Sequence, residues 1–241
     1  MKIKILIIKL FLSFFIIFKS FSTEVIFESN NMDLKNNGNF IVAYDVKVEI
    51  PNDKLSIKSK KASYDKVTDI IIFEDNVDYN DYKNNIKIKS NKITYNRNTN
   101  IIYGTGRVIL VIENKYKIKS EDLFYNKELN SIYSESKTLI EDNDQNIYNL
   151  SDNFYFDTIN EIIKSGKSEI VDKYQNKYLF EDLQLNLVNN EIAGKEIKVE
   201  FNDGYFGNRN NDPILKGRSS YSNEEELKVY KAVFSTCNIE N

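Results

Sequence analysis

The chain has 241 residues, enough for one or two domains, with 33 basic and 36 acidic residues and a formal net charge of −3. It has no histidine, so the commonest general base and metal ligand is absent; Ser–His and Cys–His nucleophile pairs and histidine-based zinc sites are excluded, while paired-carboxylate hydrolysis stays open in principle. The charges are balanced and the lysines spread along alternating positions, which excludes the basic stripe of a nucleic-acid binder.

The first 22 residues read as a signal peptide: Lys2 and Lys4 give a basic start, Ile5 to Phe18 is apolar apart from Lys9 and Ser13, and Ser20-Phe21-Ser22 places small residues near a cleavage point. The alternative is an uncleaved anchor, but the apolar run is shorter than the roughly 20 residues a spanning helix needs. Short strands follow near Val25, Ile26 and Phe27 and near Met32 to Leu34. The one cysteine, Cys237, lies near the end; in an oxidising compartment it implies pairing outside this chain or a stray thiol in a frayed tail.

Between these ends one phrase recurs. Ile57-Lys58-Ser59-Lys60-Lys61-Ala62-Ser63-Tyr64-Asp65 returns as Ile88-Lys89-Ser90-Asn91-Lys92-Ile93-Thr94-Tyr95-Asn96 and as Ile118-Lys119-Ser120-Glu121-Asp122-Leu123-Phe124-Tyr125-Asn126. Looser copies run from Leu150 to Asp157 and from Phe180 to Asn186, and a degraded one covers Ser29 to Leu34. The anchors Tyr64, Tyr95, Tyr125, Phe156 and Leu185 are spaced by 31, 30, 31 and 29 residues. A fixed period means a stacked unit that cannot bury its apolar face alone.

Within a unit, Ile86-Lys87-Ile88-Lys89 alternates with the period of a half-buried strand, and Ile93-Thr94-Tyr95 continues it. Asn96 to Asn100 is a turn, Ile101-Ile102-Tyr103 resumes a strand, and Gly104-Thr105-Gly106 marks a bulge or sharp bend before Arg107 to Ile112. No helical periodicity occurs beyond the leader. The expectation is an all-β, elongated stack of about 30-residue repeats forming two facing sheets; a right-handed parallel β-helix is the rival. Walls splayed along one edge would leave an apolar groove inside. The inward set that would line it is Ile57, Tyr64, Ile72, Ile88, Ile93, Tyr95, Ile102, Ile118, Leu123 and Tyr125, and the same pattern also describes an ordinary core. Asp65, Asp69, Glu74 and Asp75 cluster at one turn and read as a solvated loop, so no metal is assigned and no cofactor is expected.

The Tyr64-Asp65 and Tyr95-Asn96 pairs, each followed by a turn, a β run and a bend such as Asp75-Asn76-Val77 or Gly106-Arg107-Val108, resemble the OstA repeat of the lipopolysaccharide-transport proteins LptA and LptD. The tail, Asp212-Pro213-Ile214-Leu215-Lys216-Gly217 and Lys231-Ala232-Val233-Phe234-Ser235-Thr236-Cys237, resembles the LptD segment that leads into the outer-membrane barrel. The chain ends four residues after Cys237, so it looks like an N-terminal part of an LptD-like protein. On this resemblance residues 1–22 are the leader, 23–205 the repeat domain and 206–241 an extension toward a barrel.

The family implies a β-jellyroll, or β-taco, whose ten groove residues above hold lipopolysaccharide acyl chains in the periplasm. It also implies an edge at Val25, Ile26, Phe27, Met32 and Leu34 that pairs with an LptA-like bridge protein. Further expected partners are an outer-membrane barrel with its plug lipoprotein, and a disulfide role for Cys237 whose partner this chain lacks. The alternatives are an LptA-type stand-alone bridge, a structural or adhesive β-solenoid without a groove, and a β-helical polysaccharide-cleaving enzyme. The enzyme would need carboxylates recurring at equivalent repeat positions, and the sequence does not place them there.

Overall fold

The computed structural model describes residues 24–151, 153–202, 213–223 and 225–235. The leader 1–22 and Cys237 lie outside them. The described chain is all-β. Two short strands open it, β1 (Ile26–Glu28) and β2 (Asn31–Lys35). Six long strands follow: β3 (Phe40–Ile50), β4 (Leu55–Asp65), β5 (Ile70–Asp81), β6 (Ile86–Asn96), β7 (Ile101–Ile112) and β8 (Tyr116–Asn126). Short strands come next: β9 (Ser131–Ser134), β10 (Thr138–Asp142), β11 (Ile147–Leu150), β12 (Phe154–Asp157), β13 (Ile162–Ser165), β14 (Ser168–Val171), β15 (Lys177–Phe180) and β16 (Asp182–Asn186). The described chain closes with β17 (Glu191–Glu200), β18 (Ile214–Ser222), β19 (Leu227–Tyr230) and β20 (Val233–Ser235).

Every pairing is antiparallel, which removes the parallel β-helix. Strands β3 to β8 form a meander, and each of its later pairings changes register at mid-strand, between Lys58 and Lys61, Glu74 and Val77, Lys89 and Lys92, and Thr105 and Val108. These bulges line up and crease the sheet into two walls. The odd strands bend through left-handed residues at the crease: Asp45, Asp75 with Asn76, Gly106 with Arg107, and Glu196. After β8 the crease becomes a break. One half of β8 pairs with β9 and the other with β10. From there β9, β12, β13 and β16 extend the first wall, while β10, β11, β14 and β15 extend the second. Strand β17 rejoins the walls, since Glu191–Lys195 pairs with β16 and Lys198–Glu200 with β15. Strand β18 pairs along β17, so the sheet continues through Ser222.

Each position of the repeated phrase has a place in this frame. Its first Ile points inward in the second wall, its Lys outward. Its Ser sits at the crease, where Ser59 Oγ donates to Lys61 O at 2.8 Å and Ser90 Oγ to Lys92 O at 2.9 Å, satisfying carbonyls that the bulge pulls off the ladder. In the third copy Ser120 bonds Ser134 and Lys137 O instead, because the adjoining strand is broken there. The Tyr points inward in the first wall. The closing Asp or Asn caps the turn: Asn96 Oδ1 accepts the Asn98 and Thr99 N–H groups at 3.1 and 3.2 Å, and Asp65, Asn126, Asp157 and Asn186 repeat the contact. Each of these turns ends on a left-handed residue, Asp69, Asn100, Asn130, Glu161 and Asn190.

Two inward rows cross the whole stack. The first wall carries Tyr64, Ile71, Tyr95, Ile102, Tyr125, Ile132, Phe156, Ile163, Leu185 and Ile192 in direct register. The second carries Ile57, Tyr79, Ile88, Leu110, Ile118, Ile140, Tyr148 and Ile170. The rows meet across the interior, with the Tyr116 and Phe156 rings edge-on at 5.7 Å and the Phe27 and Tyr64 rings 6.0 Å apart. Toward the far end Gly194 leaves room for the Phe180 ring: a Cβ there would stand 2.2 Å from Phe180 Cδ1. Gly194→Ala is expected to destabilise the chain by about 1–3 kcal/mol through overpacking. Adding Phe180→Leu should recover part of that loss in urea unfolding, because the two sites share one space.

Candidate functional site

The interior between the walls is the one place where the repeat concentrates a single chemistry. Of the ten residues expected to face inward, Ile57, Ile93, Ile102, Ile118 and Tyr125 are 0% exposed, Ile88, Tyr95 and Leu123 1%, and Tyr64 9%. Ile72 does not belong with them. It lies opposite Ser63 and Thr94 on the outer face, and Ile71 takes the inward position. In the run Ile70-Ile71-Ile72 alternation cannot tell which Ile is inside; the register with Tyr64 and Tyr95 decides it. Near-zero exposure means that no water-sized gap reaches these side chains. Among the described residues the walls are closed against each other around these side chains.

Sequence reasoning missed most of the second wall's lining: Tyr79, Leu110, Ile140 and Tyr148 are all buried. The alternation Asp78-Tyr79-Asn80 carried the signal for Tyr79, but no repeated phrase flagged it. The Tyr79 hydroxyl is fully buried with no hydrogen-bond partner among the described residues. Burial drives its pKa well up, with Asp81 adding to the shift.

The two rows of turns form the lips of the fold, and polar side chains join them. The Asn84 amide donates to the Tyr125 hydroxyl at 2.8 Å and to Asp81 Oδ2 at 3.0 Å, tying the turn after β5 to the end of β8. Lys127 Nζ reaches across to Asp53 Oδ2 at 3.9 Å. Further along, Glu161 receives Lys115 Nζ at 2.9 Å and the Tyr116 hydroxyl at 3.0 Å. Burial works to raise the Glu161 pKa, but the Lys115 and Tyr116 hydrogen bonds outweigh it, so its carboxyl titrates below the ordinary range. On the first lip Arg97 Nη1 and the Tyr64 hydroxyl both bond Asp69 Oδ1 at 2.8 Å.

The acidic residues that cluster in sequence near Asp65 have separate structural tasks. Asp65 caps its own turn, Asp69 holds Arg97, Glu74 bonds Lys61 at 2.8 Å, and Asp75 bends the crease. Among the described residues no group of three or more His, Cys, Asp or Glu side chains is placed to hold a metal ion.

At the ends of the stack, β1 and β2 pair only with β3, and β19 and β20 only with β18. Their outer edges carry no strand among the described residues. Of the expected docking residues, Val25 and Phe27 pack partly against the core and Ile26 is half-buried, while Met32 and Leu34 are exposed. The opposite end exposes Leu227, Tyr230, Val233 and Phe234.

No family model matches the chain, and no curated protein matches it. Among solved structures it is similar to LptH from Pseudomonas aeruginosa, described as the LptA-homologous periplasmic component of the lipopolysaccharide transport device. The identity is 14% and the TM-score 0.39, over 43% of this chain and 76% of that one.

The inward register is directly measurable. Ile71→Ala is expected to cost about 2–5 kcal/mol in urea unfolding and Ile72→Ala under about 1 kcal/mol. Glu161→Gln should destabilise the chain at pH 7. Because the folded-state pKa of Glu161 lies below the ordinary 4.5, its contribution is present above that value and lost as pH falls through the folded pKa. The gap between wild type and Glu161→Gln in thermal melts is therefore expected to close as pH falls below the ordinary 4.5 and through the lower folded-state value.

Proposed function

We propose that this chain is a lipid-conduit domain: it takes the acyl chains of lipopolysaccharide between its walls in the periplasm and passes them along the stack toward the outer membrane. The observation that carries the reading is the pair of apolar rows, one running from β4 to β17 and the other from β4 to β14, facing each other across an interior whose lips are joined by isolated polar contacts. One methylene moved out of water gains about 0.8 kcal/mol, so a chain of roughly twelve carbons left in water costs about 9 kcal/mol. Carrying such a chain across an aqueous space calls for a continuous apolar path. A stack of near-equal units offers similar binding at each step, with no deep trap. Entry requires the lips to part, and the inserted acyl chain then covers the side chains that the parted walls expose.

The ten residues named from the sequence, with Ile71 in place of Ile72 and with Tyr79 and Leu110 added, are the proposed lining. The edge at Val25 to Leu34 is the proposed pairing site for an LptA-like bridge protein, since an unpaired strand edge accepts another strand by backbone hydrogen bonds. A leader at 1–22, a connection from the last strands to an outer-membrane barrel with its plug lipoprotein, and a disulfide at Cys237 belong to the same reading. A stand-alone LptA-type bridge differs from it only in lacking that barrel.

The closed interior favours a second reading, a filled β-sandwich that presents surface and binds no lipid. A photo-crosslinking residue at Tyr95 or Tyr125 separates the two. The conduit captures labelled lipopolysaccharide at these interior positions and not at the outward Lys87 or Lys89. Equal capture at inner and outer positions, or none at Tyr95 and Tyr125, sinks the conduit and leaves the sandwich.

A further inference from the structure

We infer that Tyr79 is an opening device built into the closed interior: its buried, unpartnered hydroxyl lowers the cost of parting the walls at β4 to β6, so that the fold opens there locally rather than by unfolding as a whole. Tyr79 stands in the inward row of the second wall, directly between Ile57 and Ile88. It is 0% exposed, and its hydroxyl has no hydrogen-bond partner among the described residues.

The other tyrosines of the interior all reach one. The Tyr64 hydroxyl donates to Asp69 Oδ1 at 2.8 Å, Tyr148 to Asp142 Oδ2 at 2.8 Å and Tyr178 to Asp172 Oδ2 at 3.2 Å. The Tyr95 hydroxyl meets Asn100 Oδ1 at 3.5 Å, and that of Tyr125 accepts the Asn84 amide at 2.8 Å. Each of these rings is one residue from the end of its strand, beside a turn rich in polar groups. Tyr79 is one inward step deeper, because Asp81 takes the place at the end of β5. Asp81 is itself committed: Oδ1 accepts the Lys83 and Asn84 N–H groups at 3.0 Å, and Oδ2 accepts the Asn84 amide at 3.0 Å and the Tyr125 hydroxyl at 3.4 Å. A carboxylate offers about four lone-pair sites, so none is left for Tyr79. Burial, with the Asp81 charge adding to it, keeps the Tyr79 hydroxyl protonated, a donor without an acceptor.

A hydroxyl buried in this way forfeits the hydrogen bonds it makes in water, and it does so only while the walls are closed. Parting them over β4 to β6 brings water to it and removes the penalty. The closed state is thereby destabilised at this one height of the stack, and the open state is not. The lip above has the matching property. It is joined by the neutral bond from Asn84 to Tyr125, and Lys127 adds only a 3.9 Å contact with Asp53, too long for a hydrogen bond. Further along, the lips are held by the charge-assisted bond from Lys115 to Glu161 at 2.9 Å, a stronger kind.

The test is native-state thiol labelling of the full chain carrying Cys237→Ser and one inward isoleucine replaced by cysteine. Ile88→Cys lies beside Tyr79, and Ile170→Cys lies at the other end of the same row, opposite Tyr148. Rates are compared within one cysteine background, so the cost of the cysteine itself cancels. Tyr79→Phe keeps the ring and removes the hydroxyl. It is expected to slow labelling at Ile88→Cys about tenfold and to leave Ile170→Cys within about twofold. Tyr148→Phe removes a partnered hydroxyl and is expected to speed labelling at Ile170→Cys. The inference is overturned by unchanged or faster labelling at Ile88→Cys in Tyr79→Phe. Equal slowing at both positions overturns it too, since the hydroxyl would then be exposed only on whole-chain unfolding. So does a Tyr79→Phe chain that melts below its parent, or a Tyr148→Phe that slows its own neighbour as much. No lipid is present in the assay, so the inference does not rest on the conduit reading, and its failure leaves that reading standing.

Discussion

The crease is the constraint on which everything else rests. An antiparallel meander of long strands would be a flat sheet with one apolar face in water. Here a bulge at the same height in successive strands folds that sheet on itself, so that its own apolar face becomes both sides of an interior. The bulge disrupts the backbone ladder, and the Ser hydroxyls repair part of the loss. Left-handed residues at Asp45, Asp75, Asn76, Gly106 and Arg107 supply the bend; of these only Gly106, at φ +76°, takes it without steric penalty. The strain at the others persists because the two rows that meet across the interior more than offset it, at about 1.5–3 kcal/mol for each large apolar side chain covered. Where the chain gives up the bulge and breaks, from β9 to β16, the walls still face each other, because the register set by β8 is passed on strand by strand.

How much of this was legible in the sequence follows from the range of each signal. The nine-residue phrase encodes only local facts: period-two alternation, a hydroxyl at the bend, an Asx cap on a turn. These gave the all-β class, the turns and nine of the ten inward positions. Ile72 went wrong because three consecutive isoleucines carry no phase of their own; the phase comes from the neighbouring strand. Tyr79 and Tyr148 were missed because they sit on β5 and β11, outside the repeated phrase, which covers β4, β6 and β8. The lips were not legible at all. Glu161 meets Tyr116 across 45 residues and Asn84 meets Tyr125 across 41, and nothing local marks either partner. The closed state of the interior is of the same kind, since a stripe of isoleucines is equally apolar whether the facing wall touches it or stands off.

That closure bears on how such a fold could work. Parting the walls everywhere at once would expose both rows and cost many times the stability of an ordinary domain. Parting them over two or three strands exposes a handful of side chains, and an acyl chain laid into the gap covers them again. Opening and filling then nearly cancel, and movement along the stack is an exchange between neighbouring units of similar energy. The polar lip contacts suit that exchange better than an apolar zipper would. When Glu161, Asp53 and Asn84 swing outward, each finds water, so their release costs little once the wall behind them moves.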